Sequence, residues 1–166
     1  PEGPSYASVT KAGASIMSPG IQITKALNER EGRKQNLIVM GIPENRNEVT
    51  SEVVNEILEH IHVPISTISA KRIGRPKEGF ARKILVQFPS EEIVADVMRK
   101  KSKLKESPES WMQSFYINED LTMEQREYLS SLYDEAESKN SKMPEGTKHK
   151  YIVAGRRSRP FVKKSR

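Results

Sequence analysis

Between Asn36 and Asn118 the apolar positions alternate between two periods. Asn36–Ile42 (NLIVMGI) is an apolar run closed by Pro43, the pattern of a buried strand. Thr50–Ile61 places Val53, Val54, Ile57, Leu58 and Ile61 on one helical face, with Thr50 or Ser51 expected as the cap and Glu52 suited to the positive helix end. Pro64 prevents continuation. Thr67–Ile73 carries Ile68 and Ile73 in a polar, strand-like stretch, and Gly74, Pro76 and Gly79 mark a loop. Lys83–Phe88 (KILVQF) predicts a second strong strand. Ser90 is the expected cap of a helix that carries Ile93, Val94, Val97, Met98 and Leu104 and ends in basic residues. Ser114–Asn118 predicts a short strand. Thr122 and Gln125 form a capping box for a further helix with Leu129, Leu132, Tyr133 and Ala136. Lys150–Val153 and Pro160–Lys163, on either side of Gly155, predict a hairpin.

The order strand, helix, strand, strand, helix, strand is that of a split βαβ unit. The expected fold class is therefore α+β: an RNA-recognition-type βαββαβ sandwich, two helices on one face of a four-stranded antiparallel sheet, followed by a helix and a small β-hairpin. Residues 1–34 are rich in small and polar types and read as a flexible linker, with weak patterning for a short helix over Gln22–Arg30. Residues 35–120 then form the RNA-recognition-type domain, and 121–166 a C-terminal helix plus basic hairpin domain.

Composition supports this division. The chain has 166 residues, and Leu, Ile, Val and Phe number 37, of which 28 lie between 36 and 138. The middle can build a core and the ends cannot. There is no cysteine, which excludes disulfides, thiol catalysis and Cys-type zinc sites. No apolar run reaches membrane-spanning length and no signal peptide is visible, so a cytoplasmic or nuclear location is expected, with no membrane partner. The chain begins at Pro1, which suggests a fragment or a processed product.

Charge sharpens the picture. The net charge is +6, and residues 144–166 hold eight basic groups against one acidic. Two further clusters lie inside the core: Lys71, Arg72, Arg75, Lys77, Arg82 and Lys83, then Arg99, Lys100, Lys101, Lys103 and Lys105. Clustered cations beside a folded core suit a polyanion, because neutralising phosphates releases counterions. The plain alternative is a solubilising tail with ordinary helix-end lysines.

Enzymatic chemistry finds little purchase. GxSxG, GxxxxGK[ST] and HExxH are missing. His60 and His62 diverge at a helix end, and His149 stands among lysines. The pairs Glu91–Glu92 and Glu119–Asp120 precede helices, where dipole stabilisation explains them better than acid/base work. The expectation is a non-enzyme without cofactor, metal or small-molecule substrate. A sheet platform that stacks bases does so on aromatics of its central strands. Here Ile38, Lys83 and Leu85 occupy those places, leaving Tyr116, Tyr151 and Phe161 as candidate stacking groups, while Trp111 reads as a loop anchor. Basic edges and loops must then supply most of the affinity, with low sequence preference and steep salt dependence.

The ordered set NLIVMGIPE, AKRIGRPKEGFARKILVQFPSEE, RKKSKLK and FYINEDLTMEQREYL resembles the first-open-reading-frame proteins of LINE-type (non-LTR) retrotransposons. The tail KYIVAGRRSRPFVKK is similar to the C-terminal domain of many invertebrate versions and of the baculovirus few-polyhedra protein. Together these cover residues 34–164. The resemblance implies a single-stranded nucleic-acid chaperone of a ribonucleoprotein particle that self-associates through an N-terminal coiled coil, a part without heptads in this chain. Tyr116 departs from the mammalian pattern, which has arginine there, and Gly74–Ala81 is shorter. Carried over by position, the resemblance and the charge clusters give as nucleic-acid-binding candidates Arg72, Arg75, Arg82, Lys83, Lys100, Lys101, Lys148, Lys150, Tyr151, Arg156, Arg157, Arg159 and Lys163. The partner is single-stranded RNA or DNA. The rival reading is a protein–protein interaction module using an apolar sheet face around Ile38 and Leu85.

Overall fold

The computed structural model describes residues 18–64 and 69–165. The chain is mixed α+β, with a four-stranded antiparallel sheet, helices and a C-terminal hairpin. In order it forms α1 (Pro19–Arg33), β1 (Asn36–Met40), α2 (Thr50–His60), β2 (Ser69–Ile73), β3 (Lys83–Gln87), α3 (Glu91–Lys100), a 3₁₀ segment (Lys101–Glu106), α4 (Ser110–Gln113), β4 (Tyr116–Glu119), α5 (Met123–Ser141), β5 (Tyr151–Arg156) and β6 (Arg159–Lys164). The sheet order is β2-β3-β1-β4, so the two most apolar strands are central and the two polar ones lie at the edges.

Strand alternation divides the sheet into two faces. Leu37 and Val39 of β1, Ile84 and Val86 of β3 and Ile117 of β4 point into the core. There they meet Val54, Ile57, Leu58 and Ile61 of the α2 region and Val94 and Val97 of α3. Leu104, Met112 and Phe115 close the end of this core beside β4. The expected helix-facing positions are thus confirmed, with Val53 and Ile93 packed at the margin.

The caps depart from expectation at two starts. Val49 holds the N-cap of α2, and Thr50 is the first helical residue. The Thr50 hydroxyl turns back to Glu48, 3.4 Å away, and so leaves the helix end without a side-chain cap. Ser90 does hold the N-cap of α3, but its hydroxyl makes no capping bond to the helix. At α5 the capping box of Thr122 and Gln125 is complete, with both reciprocal bonds formed.

Residues 1–17 and Ile68 lie outside the described residues. Within the segment read as linker, Pro19–Arg33 is a continuous helix that extends past both ends of the expected Gln22–Arg30. Ser18 caps it and a proline occupies its first turn, a start signal that the weak apolar pattern concealed. None of its residues is buried.

The hairpin is present, with its turn shifted. Arg157 and Ser158 make the two-residue connection, and Gly155 stands inside β5 opposite Pro160. Gly155 has φ of +89°, and a Cβ there would lie 2.7 Å from the Arg159 carbonyl and 2.9 Å from the Phe161 ring. The glycine thus serves close packing within the hairpin. Leu129, Leu132 and Ala136 of α5 are buried against the hairpin side of the molecule, while Tyr133 is exposed, because only a narrow face of this helix is covered. Asn140 fastens the two parts: its amide donates to the Tyr151 carbonyl at 2.9 Å and accepts from the Tyr151 N–H at 2.6 Å.

Candidate nucleic-acid interface

The face of the sheet opposite the core is built in rows. Register places Asn118, Ile38, Leu85 and Lys71 across the four strands in one row. The adjacent row holds Tyr116 with Met40, and Lys83 with Ile73. Ile38, Met40, Leu85 and Ile73 are half-buried, and Tyr116 is 69% exposed. The surface is therefore aliphatic in the middle and cationic toward β2 and β3, and its exposed aromatic stands on the β4 edge.

A groove of about 280 Å³ runs over this face. Its floor is Ile38, Met40, Ile73 and Asn118, its basic lining comes from Arg33, Lys83, Arg126 and Arg157, and the carboxylates of Glu119 and Asp120 also border it. These four cations come from α1, β3, α5 and the hairpin turn, so the groove is assembled from both halves of the chain. Arg33 is anchored by Asp120 at 2.9 Å and by Glu29 at 2.7 Å.

The hairpin is held over the sheet by one acceptor. The Ser158 hydroxyl donates to Glu119 at 2.7 Å and its backbone N–H donates to the other carboxylate oxygen at 3.0 Å. Arg157 is thereby turned toward the sheet groove. Arg156 and Arg159 line a second, tighter cleft of about 40 Å³ with Arg30, Lys34, Glu91 and Asp120. The nearest oxygen of Glu91 is 4.0 Å from Arg156.

Several candidates serve the fold instead. Arg72 is corrected outright: its side chain is 6% exposed and points into the core side of the sheet. All its donors are spent on protein oxygens. Nε and Nη2 bind Glu48 at 2.7 and 2.9 Å, Nη1 binds the Ile42 and Arg82 carbonyls at 2.8 Å each, and Nη2 also binds the Pro43 carbonyl at 3.0 Å. Strand alternation sends position 72 inward, opposite Ile84, whereas Lys71 and Ile73 lie on the open face, Ile73 within the groove. The hydrogen bonds from Arg72 hold the Glu48 carboxyl below its ordinary range. Arg82 is paired with Glu44 at 2.8 Å, which likewise lowers the Glu44 carboxyl. Lys100 is also corrected, since its ammonium is shared between Asp96 at 2.7 Å and the His62 carbonyl at 2.8 Å. Tyr151 is half-buried beside Asn140 with Lys139 over its ring, a packing role.

Lys101 is half-buried and donates to the Ile117 carbonyl at 2.8 Å on the free side of β4. Burial lowers its pKa, and the nearby positive charge of Arg157 lowers it further. Arg75 is exposed in the loop after β2, and Lys148, Lys150 and Lys163 are exposed toward the open end of the hairpin and the segment leading into it. Phe161 is exposed and lies against Gly155. Trp111 stacks on Phe115 at 5.8 Å and donates to Glu109, which agrees with an anchoring role.

Sequence reasoning brought Lys83 and Arg157 to one surface, named Lys71 only within a charge cluster, and missed Arg33 and Arg126. Arg126 did carry a signal: a cation in the first turn of α5 opposes the helix dipole and calls for another reason to be there. Among the described residues, no group of three or more His, Cys, Asp or Glu residues could hold a metal ion, and no helix is long and apolar enough to cross a membrane. No protein-family model matches the chain, and no curated protein is significantly similar to it.

Proposed function

We propose that this chain is a sequence-tolerant, single-stranded RNA- or DNA-binding protein of the LINE-type first-open-reading-frame class, built on an RNA-recognition-type platform. The reading rests above all on the convergence of Lys83, Arg126 and Arg157 on one groove over the open sheet face, where Arg33 stands beside them paired to Asp120 and Glu29. The strand order β2-β3-β1-β4 with both core helices on the other face supports the platform assignment. The sequence resemblance supports the retrotransposon class.

In this reading phosphates lie against Lys83, Arg126 and Arg157 and bases face Ile38, Met40 and Leu85. Aliphatic side chains contact any base without reading its edges, so affinity comes mainly from charge. Many weak, exchanging contacts let two strands re-pair while bound, which is chaperone action within a ribonucleoprotein particle. The protein-module reading draws on the same aliphatic row, but Lys71 and Lys83 flank it and favour a polyanion.

The test is binding of a single-stranded oligonucleotide across a salt series. Three neutralised phosphates give a slope of log K on log salt of about −2. A flat response, or no binding at low salt, overturns the proposal.

A further inference from the structure

Beside the free edge of β4 lies a second cavity, of about 470 Å³. Leu104, Met112, Phe115 and Ile117 make its buried floor, and Ser102, Lys105, Gln113 and Tyr116 stand exposed at its rim. Lys101 and Asn118 also line it. The volume falls within the range of about 300–1,000 Å³ typical of small-ligand pockets, and the lining is the usual mixture of apolar walls with a few polar groups.

The cavity neighbours the sheet groove. Asn118 lines both spaces. Arg157, over the groove, is near enough to Lys101, in the cavity, to influence its protonation. Tyr116 sits on the edge between them, on the row it shares with Met40. A strand crossing the sheet toward β4 passes Asn118 and Tyr116 and arrives at an opening flanked by Lys101 and Lys105.

We infer that this cavity receives one unpaired nucleobase of the strand lying in the sheet groove. The inference rests on the nucleic-acid reading above and adds a base-binding site to it. A flat aromatic base suits walls of Met98, Met112 and Phe115, because thioether and ring surfaces contact a π-face without demanding its identity. Asn118 offers both a donor and an acceptor to a base edge. Lys105, exposed at the rim, meets the phosphate that follows. A paired base cannot enter, so the site selects single strands over duplexes.

The experiment uses the full chain and two fluorescent oligonucleotides of equal length and equal phosphate number, one with bases and one abasic throughout. In the unaltered protein the abasic strand binds about tenfold more weakly, the loss expected for one or two stacked bases. Ser102→Trp fills the mouth from an exposed position, so the fold survives, which circular dichroism verifies. This variant leaves abasic binding unchanged and weakens the base-bearing strand, so the base-to-abasic gap narrows. Lys105→Trp is the second filling variant, and it also narrows the gap. Equal binding of both strands by the unaltered protein overturns the inference while the charge-driven function stands. A base-to-abasic gap that keeps its full size in both variants also overturns it and assigns base contact to the sheet face alone. Binding of neither strand removes the nucleic-acid reading and this inference together.

Discussion

Ser158 gives both its hydroxyl and its backbone N–H to the Glu119 carboxylate, at 2.7 and 3.0 Å. One acid at the end of β4 thus positions the tip of a hairpin nearly forty residues later in the chain. Hydrogen bonds to a charged acceptor are about twice as strong as neutral ones, and two to one carboxylate fix direction as well as distance.

Replacing Glu119 therefore separates two effects of opposite sign. Glu119→Ala removes a negative charge near the groove, and charge alone would strengthen polyanion binding. Loss of the anchor releases Arg157 from its place over the sheet. We expect the second effect to win, with affinity for a single-stranded oligonucleotide falling about three- to tenfold, the scale of one ordinary hydrogen bond. Faster amide exchange at Ser158 accompanies it. Tighter binding would show that the anchor does not organise the groove.

Arg157 and Arg156 are neighbours in sequence that serve different clefts. Arg157→Ala lowers affinity equally for all sequences and makes the salt slope shallower by about 0.7, the share of one phosphate on a single strand. Arg156→Ala, beside Glu91, has the smaller effect. Matching salt titrations of the two variants check this, and a larger loss in Arg156→Ala contradicts the arrangement.

Arg72 is a stability residue. Arg72→Ala leaves Glu48 and three carbonyls without their partner and costs about 3–5 kcal/mol, the range for breaking a buried ion pair. Denaturant unfolding measures the loss. The Glu48 carboxyl is depressed in the folded state by its hydrogen bonds from Arg72. Its contribution is accordingly complete above the unfolded carboxylate value of about 4.3 and disappears as pH falls through the lower folded value. The unaltered protein loses this part of its stability on acidification below about pH 4, and Arg72→Ala lacks that component of the decline.

The architecture was legible where local rules and tertiary packing agree. NLIVM and KILVQ alternate so that Leu37, Val39, Ile84 and Val86 must share a face, and Thr122 with Gln125 announces α5. The groove was legible only in part, because a basic residue reads alike whether it meets phosphate or carboxylate. Arg72 and Lys83 belong to one sequence cluster, yet one is clamped to Glu48 and the other lines the groove. Alternation along β2 separates Lys71 from Arg72, but the phase of so polar a strand becomes readable only once Ala70 is known to face Val86. Arg33 was hidden because α1 has no buried face to reveal it. The turn of the hairpin was misplaced because Gly155 suggests a corner, whereas its role is to make room for the Phe161 ring.

The ammonium of Lys101 on the Ile117 carbonyl has a colloidal consequence. Molecules crowded along one polymer meet their own copies at high local concentration, and a bare outermost strand would let those copies zip together through their main chains. With the Ile117 carbonyl occupied by a lysine, β4 is a poorer template for such pairing between copies.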